Sequence, residues 1–271
     1  MKVGFGSAGV EIIRNNLERG RHRDVLLLNK QGGSVSCIFL FCDIRQFTDA
    51  TECLQEDVFV FTNKIAAVVH SICHSYGGSA NNNIGDAFLV SWLLDDAPER
   101  EEDADELQPS MQPLFSAYHN QADKALLSVV KISMALHYDK YFTDAINESA
   151  KNRLLSKLSN RKGPIVQMGF GLHAGEAVQG AIGSQRKLDA TYISESVEQA
   201  EFLESSTKKY GVPVLMSDTF YDLLDNSNKY RCRKVDQVLR LTEQDGNTYD
   251  PDEILDAKKM ILVSSLAHNP L

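Results

Sequence analysis

A run of residues 35–42, Val-Ser-Cys-Ile-Phe-Leu-Phe-Cys, stops abruptly on an acid, Asp43. The run is nearly all apolar and rich in strand formers, the pattern of a strand covered on both faces. Such a strand belongs inside a sheet, and Asp43 then stands at its C-terminal tip. A carboxylate beside a core is costly unless something compensates it, and a divalent cation is the usual compensation where a strand opens into a loop and a helix. Downstream, Tyr76-Gly-Gly-Ser-Ala-Asn-Asn-Asn-Ile-Gly-Asp-Ala-Phe-Leu-Val-Ser-Trp92 offers a Gly-rich turn, a second acid at Asp86 and an apolar strand over 87–92. A hairpin there brings Asp86 alongside Asp43, and two such carboxylates can hold two metal ions about 4 Å apart for in-line displacement at phosphorus. Taken singly, each Asp is explained equally well as a helix or turn cap.

Around this stretch the chain alternates helices and strands. Helical spacing is expected over 8–19, a short strand over 24–29 and a turn at 31–33. A long helix follows over 55–76, closed by Gly77 and Gly78. Its His70 and His74 lie four apart, but with no intervening Glu and no third ligand they read as a solvated face. Residues 95–106 carry eight acids in twelve positions, with Pro98, Pro109 and Pro113, so about 95–121 reads as a flexible acidic insertion. Helical periodicity returns over 122–142, and 148–162 is polar and basic, helix then linker. Strands are expected at 166–174, 177–182, 189–193, 212–216, 230–241 and 260–266, with helices at 194–210 and 218–224. Long helices between strands that pair out of order suit an α+β sandwich with a ferredoxin-like βαββαβ core.

Composition narrows the function. The 271 residues carry a net charge of −9, which leaves no broad basic face for nucleic acid or an anionic membrane. Five cysteines, Cys37, Cys42, Cys53, Cys73 and Cys232, show no paired CxxC spacing and read as buried thiols in a reducing compartment. No apolar run approaches the roughly 18 residues needed to span a bilayer. The expected setting is cytoplasmic, either free or as the cytosolic part of a larger membrane protein.

Phe41-Cys-Asp-Ile-Arg-Gln-Phe-Thr48, the Ile84-Gly-Asp-Ala-Phe-Leu89 turn, and Gly169-Phe-Gly-Leu-His-Ala-Gly-Glu176 followed by Gly180-Ala-Ile-Gly183 resemble, in order and spacing, the catalytic domain of class III adenylyl and guanylyl cyclases. The resemblance runs from about 35 to 263 with one long insertion. It divides the chain into a lead-in over 1–34, the nucleotidyl cyclase domain over 35–266 and a tail over 267–271. It also implies that Asp43, Asp86 and the Ile44 carbonyl bind two Mg2+ or Mn2+ ions, and that backbone amides from Ile44 through Phe47 to Thr48 cradle a triphosphate at a helix N-terminus beside Gly85. The substrate would be ATP or GTP, the product a cyclic nucleotide for intracellular signalling, and the working form a head-to-tail dimer with a second cyclase domain, its sites at the interface.

The residues expected from the other half of such a dimer are missing here. Asn82 stands where the family's base-reading lysine usually is, and an amide lacks its charge and reach. Thr191 falls on the other base contact and favours adenine. Glu198 replaces the transition-state Asn and Phe202 the phosphate-binding Arg; neither can donate a hydrogen bond to developing negative charge. Residues 194–207 contain no Asn or Arg to stand in. Arg186 is a candidate for reaching a terminal phosphate, or equally a solvated turn residue. The chain thus resembles the metal-supplying half of an asymmetric pair. Two alternatives differ in class: a degenerate cyclase domain acting as a regulatory or dimerisation partner, and a diguanylate cyclase-like relative, whose Gly-Gly-Asp/Glu-Glu-Phe turn Ile84-Gly-Asp-Ala-Phe88 does not supply. His173 and Glu176, a core strand histidine and a loop acid, are assigned no role.

Overall fold

The structure is a computed structural model that describes residues 32–94, 121–158, 163–184, 187–240 and 258–265. The expected helix at 8–19, the strand at 24–29, the acidic insertion up to residue 120, Arg186 and the tail lie outside these residues. The buried run becomes β1 (Gly33–Ile44), the middle of the sheet. Its alternation is what builds two layers. Ile38, Leu40, Cys42 and Ile44 point into the larger core, and Cys37, Phe39 and Phe41 into a smaller one on the opposite face. Asp43 belongs to the second set.

The chain leaves β1 through α1 (Phe47–Leu54), a 3-10 turn over 55–57 and α2 (Val58–Ser75), then returns as the hairpin β2 (Ser79–Ile84) and β3 (Ala87–Leu93). A second helical excursion, α3 (Gln121–Ala135), α4 (Asp139–Thr143) and α5 (Glu148–Lys157), leads to β4 (Met168–Ser184). The buried apolar side chains of α1 to α5 join the larger core. The order β2-β3-β1-β4, antiparallel at every step, with both helical excursions on one face, is the ferredoxin-like βαββαβ core.

Past it come β5 (Lys187–Ile193), α6 (Glu195–Tyr210), β6 (Val214–Met216), the short α7 (Asp218–Asp222) and α8 (Asn226–Lys229), and the closing pair β7 (Cys232–Arg240) and β8 (Lys258–Ser265). Helix α6 covers the other face, where Ala200 and Val197 meet Phe39, Phe41 and Tyr192. It opens on Ser194, whose side chain accepts from the Ser196 amide, and closes on Gly211 at φ 64°.

Three expectations change. The strands expected at 166–174 and 177–182 are one strand, because Gly175 and Glu176 form no turn: they pair with Cys37 and Ser36, and the Glu176 carboxylate accepts from Ser34 and Ser36. Glu176 is a strand acid, not a loop acid. The helix expected over 122–142 breaks after Ala135, and α4 starts again at Asp139. His70 does not face solvent. Its ring meets Phe88 edge-on at 5.5 Å, and burial holds its pKa below the usual value. His74 is exposed, as expected. All five cysteines are free thiols, four of them buried. Among the described residues no helix is long and apolar enough to cross a membrane.

Candidate functional site

The site is assembled at the end of β1. Asp43 pairs with Ala87, the first residue of β3, so the hairpin turn before it is carried to the strand tip. That turn is Gly85 and Asp86, with Gly85 at φ 64°, a conformation only glycine adopts without cost. The Ile44 amide donates to the Asp86 carbonyl at 3.4 Å. The two expected carboxylates therefore meet. Burial first, then the charges of Asp86 and Glu204 and a hydrogen bond with Asp86, push the Asp43 carboxyl up to about 6; Lys208, with its Nζ 3.5 Å from Asp43 Oδ2, pulls the other way. An acid held up by its neighbours is short of positive charge, and hard oxygen donors suit Mg2+ or Mn2+. The residues fit a divalent ion. Among the described residues no cluster of three or more His, Cys, Asp or Glu is placed to hold one; the two carboxylates, with main-chain oxygen such as that of Ile44, are the groups that could serve as donors.

Beyond Ile44 the chain turns sharply at Gln46, whose φ of 55° is left-handed, and enters α1. No side chain caps this helix start, so the amides of its first turn remain directed outward, the arrangement that receives phosphate. Phe47 is half-buried against the larger core and fixes the turn, while Thr48 is exposed beside it.

The remaining expected positions lie elsewhere. Asn82 stands opposite Leu89, just after an irregularity in the β2–β3 register at Asn81. Thr191 is half-buried in β5, opposite Gly180. Glu198 is exposed in the first turn of α6, and Phe202 packs beside Leu203 and Leu215 together with Tyr210, Val212 and Val235. His173 sits half-buried in β4 with Nδ1 2.9 Å from the Ser217 hydroxyl, a structural position as expected.

The sequence reading missed the side of the site made by α6. Glu204, Thr207 and Lys208 lie one turn apart and face the strand tip. Glu204 is buried with its Oε1 3.0 Å from Arg45 Nη1, and Arg45 Nη2 donates to the Thr207 hydroxyl. Burial holds the Glu204 carboxyl above its usual range, against the pull of Arg45 and Lys208. Two signals were available: Arg45 continues the odd-numbered face of β1, and 204, 207 and 208 share one helical face. The glycines of the third motif also find a cause here. A Cβ on Gly169 would strike Arg45 and Glu204, and one on Gly171 would strike the α6 backbone at Ala200 and Glu204.

The adenylate and guanylate cyclase catalytic domain family matches residues 29–249. An adenylate cyclase of Anabaena cylindrica is 26% identical over 207 residues, 76% of this chain and 34% of that protein. A terminal-differentiation-specific adenylate cyclase of Dictyostelium discoideum is 22% identical over 75% of this chain and 8% of its own length. The chain therefore spans about a third of one of these curated relatives and less than a tenth of the other. Among solved structures, a bacterial light-regulated adenylyl cyclase aligns with a TM-score of 0.59 at 18% identity, over 89% of this chain and 56% of that one. The adenylyl cyclase CyaB from P. aeruginosa aligns with a TM-score of 0.51 at 19% identity, over 89% and 98%. Motif order, fold and family match agree: the chain belongs to the adenylate and guanylate cyclase catalytic domain family.

Proposed function

We propose that this chain is the metal-supplying half of a nucleotidyl cyclase dimer in intracellular signalling, forming a 3′,5′-cyclic nucleotide and pyrophosphate from a nucleoside triphosphate, ATP in preference to GTP. The observation that carries it is the meeting of Asp43 and Asp86 at the tip of β1, in a chain with Glu and Phe at positions 198 and 202. Asp43, Asp86 and the Ile44 carbonyl would hold two Mg2+ or Mn2+ ions, which would supply the positive charge that favours ionisation of the attacking 3′-hydroxyl and departure of pyrophosphate. The free amides at the start of α1 take the triphosphate, and Gly85 lets the hairpin turn approach it without a side chain in the way. Thr191, with its hydroxyl, supports adenine, and Arg186 reaches for a terminal phosphate. The partner is a second cyclase domain, on another chain or elsewhere in a longer protein, that brings the base-reading and transition-state donors absent here. Five free thiols support a reducing cytoplasm.

A regulatory, catalytically silent domain is the second reading. It is favoured by Lys208, whose ammonium lies 3.5 Å from Asp43, and by Phe202, whose ring is used in packing. Titration calorimetry with Mn2+ and 3′-deoxy-ATP, which lacks the attacking hydroxyl, tests the metal site. The wild-type chain binds the nucleotide only with metal, and Asp43→Asn and Asp86→Asn each weaken binding at least tenfold. Unchanged metal-dependent binding in both variants removes these residues from the site.

A further inference from the structure

The face of α6 that meets the strand tip is joined to it by a buried ion pair, and a buried ion pair is a poor source of stability. Removing two charges from water costs about as much as their attraction returns, and apolar residues of similar volume commonly serve as well or better. What an arginine adds is geometry: a planar fork that can hold two partners in fixed directions. Arg45 donates through Nη2 to the Thr207 hydroxyl, while Nη1 lies 3.0 Å from Glu204 Oε1 as an ion pair without a hydrogen bond. Its side chain is only 15% exposed and that of Glu204 4%. Its backbone amide donates to the Gln167 carbonyl at 2.8 Å, just before β4. The room for the pair comes from Gly169, where any Cβ would collide with both side chains. Three segments, the β1–α1 loop, the start of β4 and the middle of α6, thus converge on one guanidinium.

The loop so held contains every main-chain group assigned to the metals and the triphosphate. Asp43 and Ile44 precede Arg45 directly. Gln46 follows it in a left-handed conformation, a strain that persists only when the surroundings over-determine the backbone. We propose that Arg45 is a positioning residue for metal and triphosphate binding, fixing the loop 43–48 against α6 through Glu204 and Thr207. It also partly offsets the charge of the buried Glu204, the third acid near Asp43 and Asp86. The proposal rests on the assignment of those two acids as metal ligands.

The test uses the full chain and three variants, Arg45→Leu/Glu204→Leu, Arg45→Lys and Glu204→Gln, each followed by thermal unfolding, amide hydrogen exchange without metal, and calorimetry with Mn2+ and 3′-deoxy-ATP. The double Leu variant fills the space with apolar groups and unfolds within a few degrees of wild type. Its amides over 44–48 exchange at least tenfold faster, those over 38–41 keep their protection, and its nucleotide affinity falls at least tenfold. Arg45→Lys keeps the charge, gives up the fork and lies between the two; Glu204→Gln keeps the shape, gives up the charge and lies between them as well. A double Leu variant with wild-type loop exchange and affinity overturns the proposal and leaves a merely structural pair. Arg45→Lys indistinguishable from wild type in both readouts overturns the role of the fork, and it decides the matter should the double variant not fold. A wild-type chain that binds no Mn2+–nucleotide overturns the metal assignment and the binding half of the proposal together, and the exchange rates then decide the anchoring of the loop by themselves.

Discussion

At Asp43, burial and two neighbouring carboxylates hold the carboxyl up to about 6 against an ordinary 3.8. The native state therefore binds more protons than the unfolded chain between those two values, and stability falls as pH rises through that window. Above it the full cost is present, on the order of 1–3 kcal/mol for a partly exposed group. Asp43→Asn is accordingly expected to raise the melting temperature of the metal-free protein at pH 7.5, with the gain shrinking toward zero near pH 4; thermal unfolding across that range checks it, and an equal gain at both ends would contradict the assignment. Gln46 illustrates a second local cost. Left-handed backbone at a residue other than glycine stores strain, so Gln46→Gly is expected to stabilise the fold by about 1 kcal/mol in urea unfolding. Both residues are less stable choices than simple alternatives, and both lie at the junction of β1 and α1.

Between elements, the tightest constraint is the approach of α6 to β4. Gly171 has the Ala200 carbonyl and the Glu204 amide where a Cβ would be, so Gly171→Ala must push a helix backbone off a strand, at an expected cost of about 3 kcal/mol by denaturant unfolding. A loss below 0.5 kcal/mol would mean that α6 is not seated as described. This contact also shows where sequence reasoning reached and where it stopped. The buried strand, the hairpin and the pairing of Asp43 with Asp86 were legible because each follows from local alternation and a turn. The single long β4 was not: Gly175 and Glu176 look like a turn, and only their pairing with β1 makes them strand. His70 was read as solvated because helical spacing cannot foresee Phe88 arriving from β3. Arg45, Glu204 and Lys208 were passed over for a related reason. They lie some 160 residues apart in sequence and become a group only when α6 is laid across the strand tip.

For the whole molecule, the separation of roles has a consequence for assembly. On the proposed reading, a dimer of identical chains would place Asn82, Glu198 and Phe202 in both interfacial sites, so each would hold metal donors and lack the groups that stabilise the transition state; losing one such donor typically costs about 2.7–4 kcal/mol. The isolated chain is therefore expected to be almost inactive with ATP or GTP, in Mg2+ or Mn2+. Phe202 adds a structural price, since its ring packs beside Leu203 and Leu215, and replacing it with Arg should lower the melting temperature while supplying a donor. The most direct measurement mixes two versions of the chain. One is wild type, and the other carries Asn82→Lys, Glu198→Asn and Phe202→Arg together with Asp43→Asn and Asp86→Asn, so that only a mixed dimer contains one complete site. Cyclic nucleotide production is measured for each protein alone and for the mixture, with native mass spectrometry recording how much mixed dimer forms. The account predicts activity in the mixture at least a hundredfold above either protein alone. Wild-type chain as active by itself as the mixture, or a mixture that forms mixed dimers and stays silent, would contradict it.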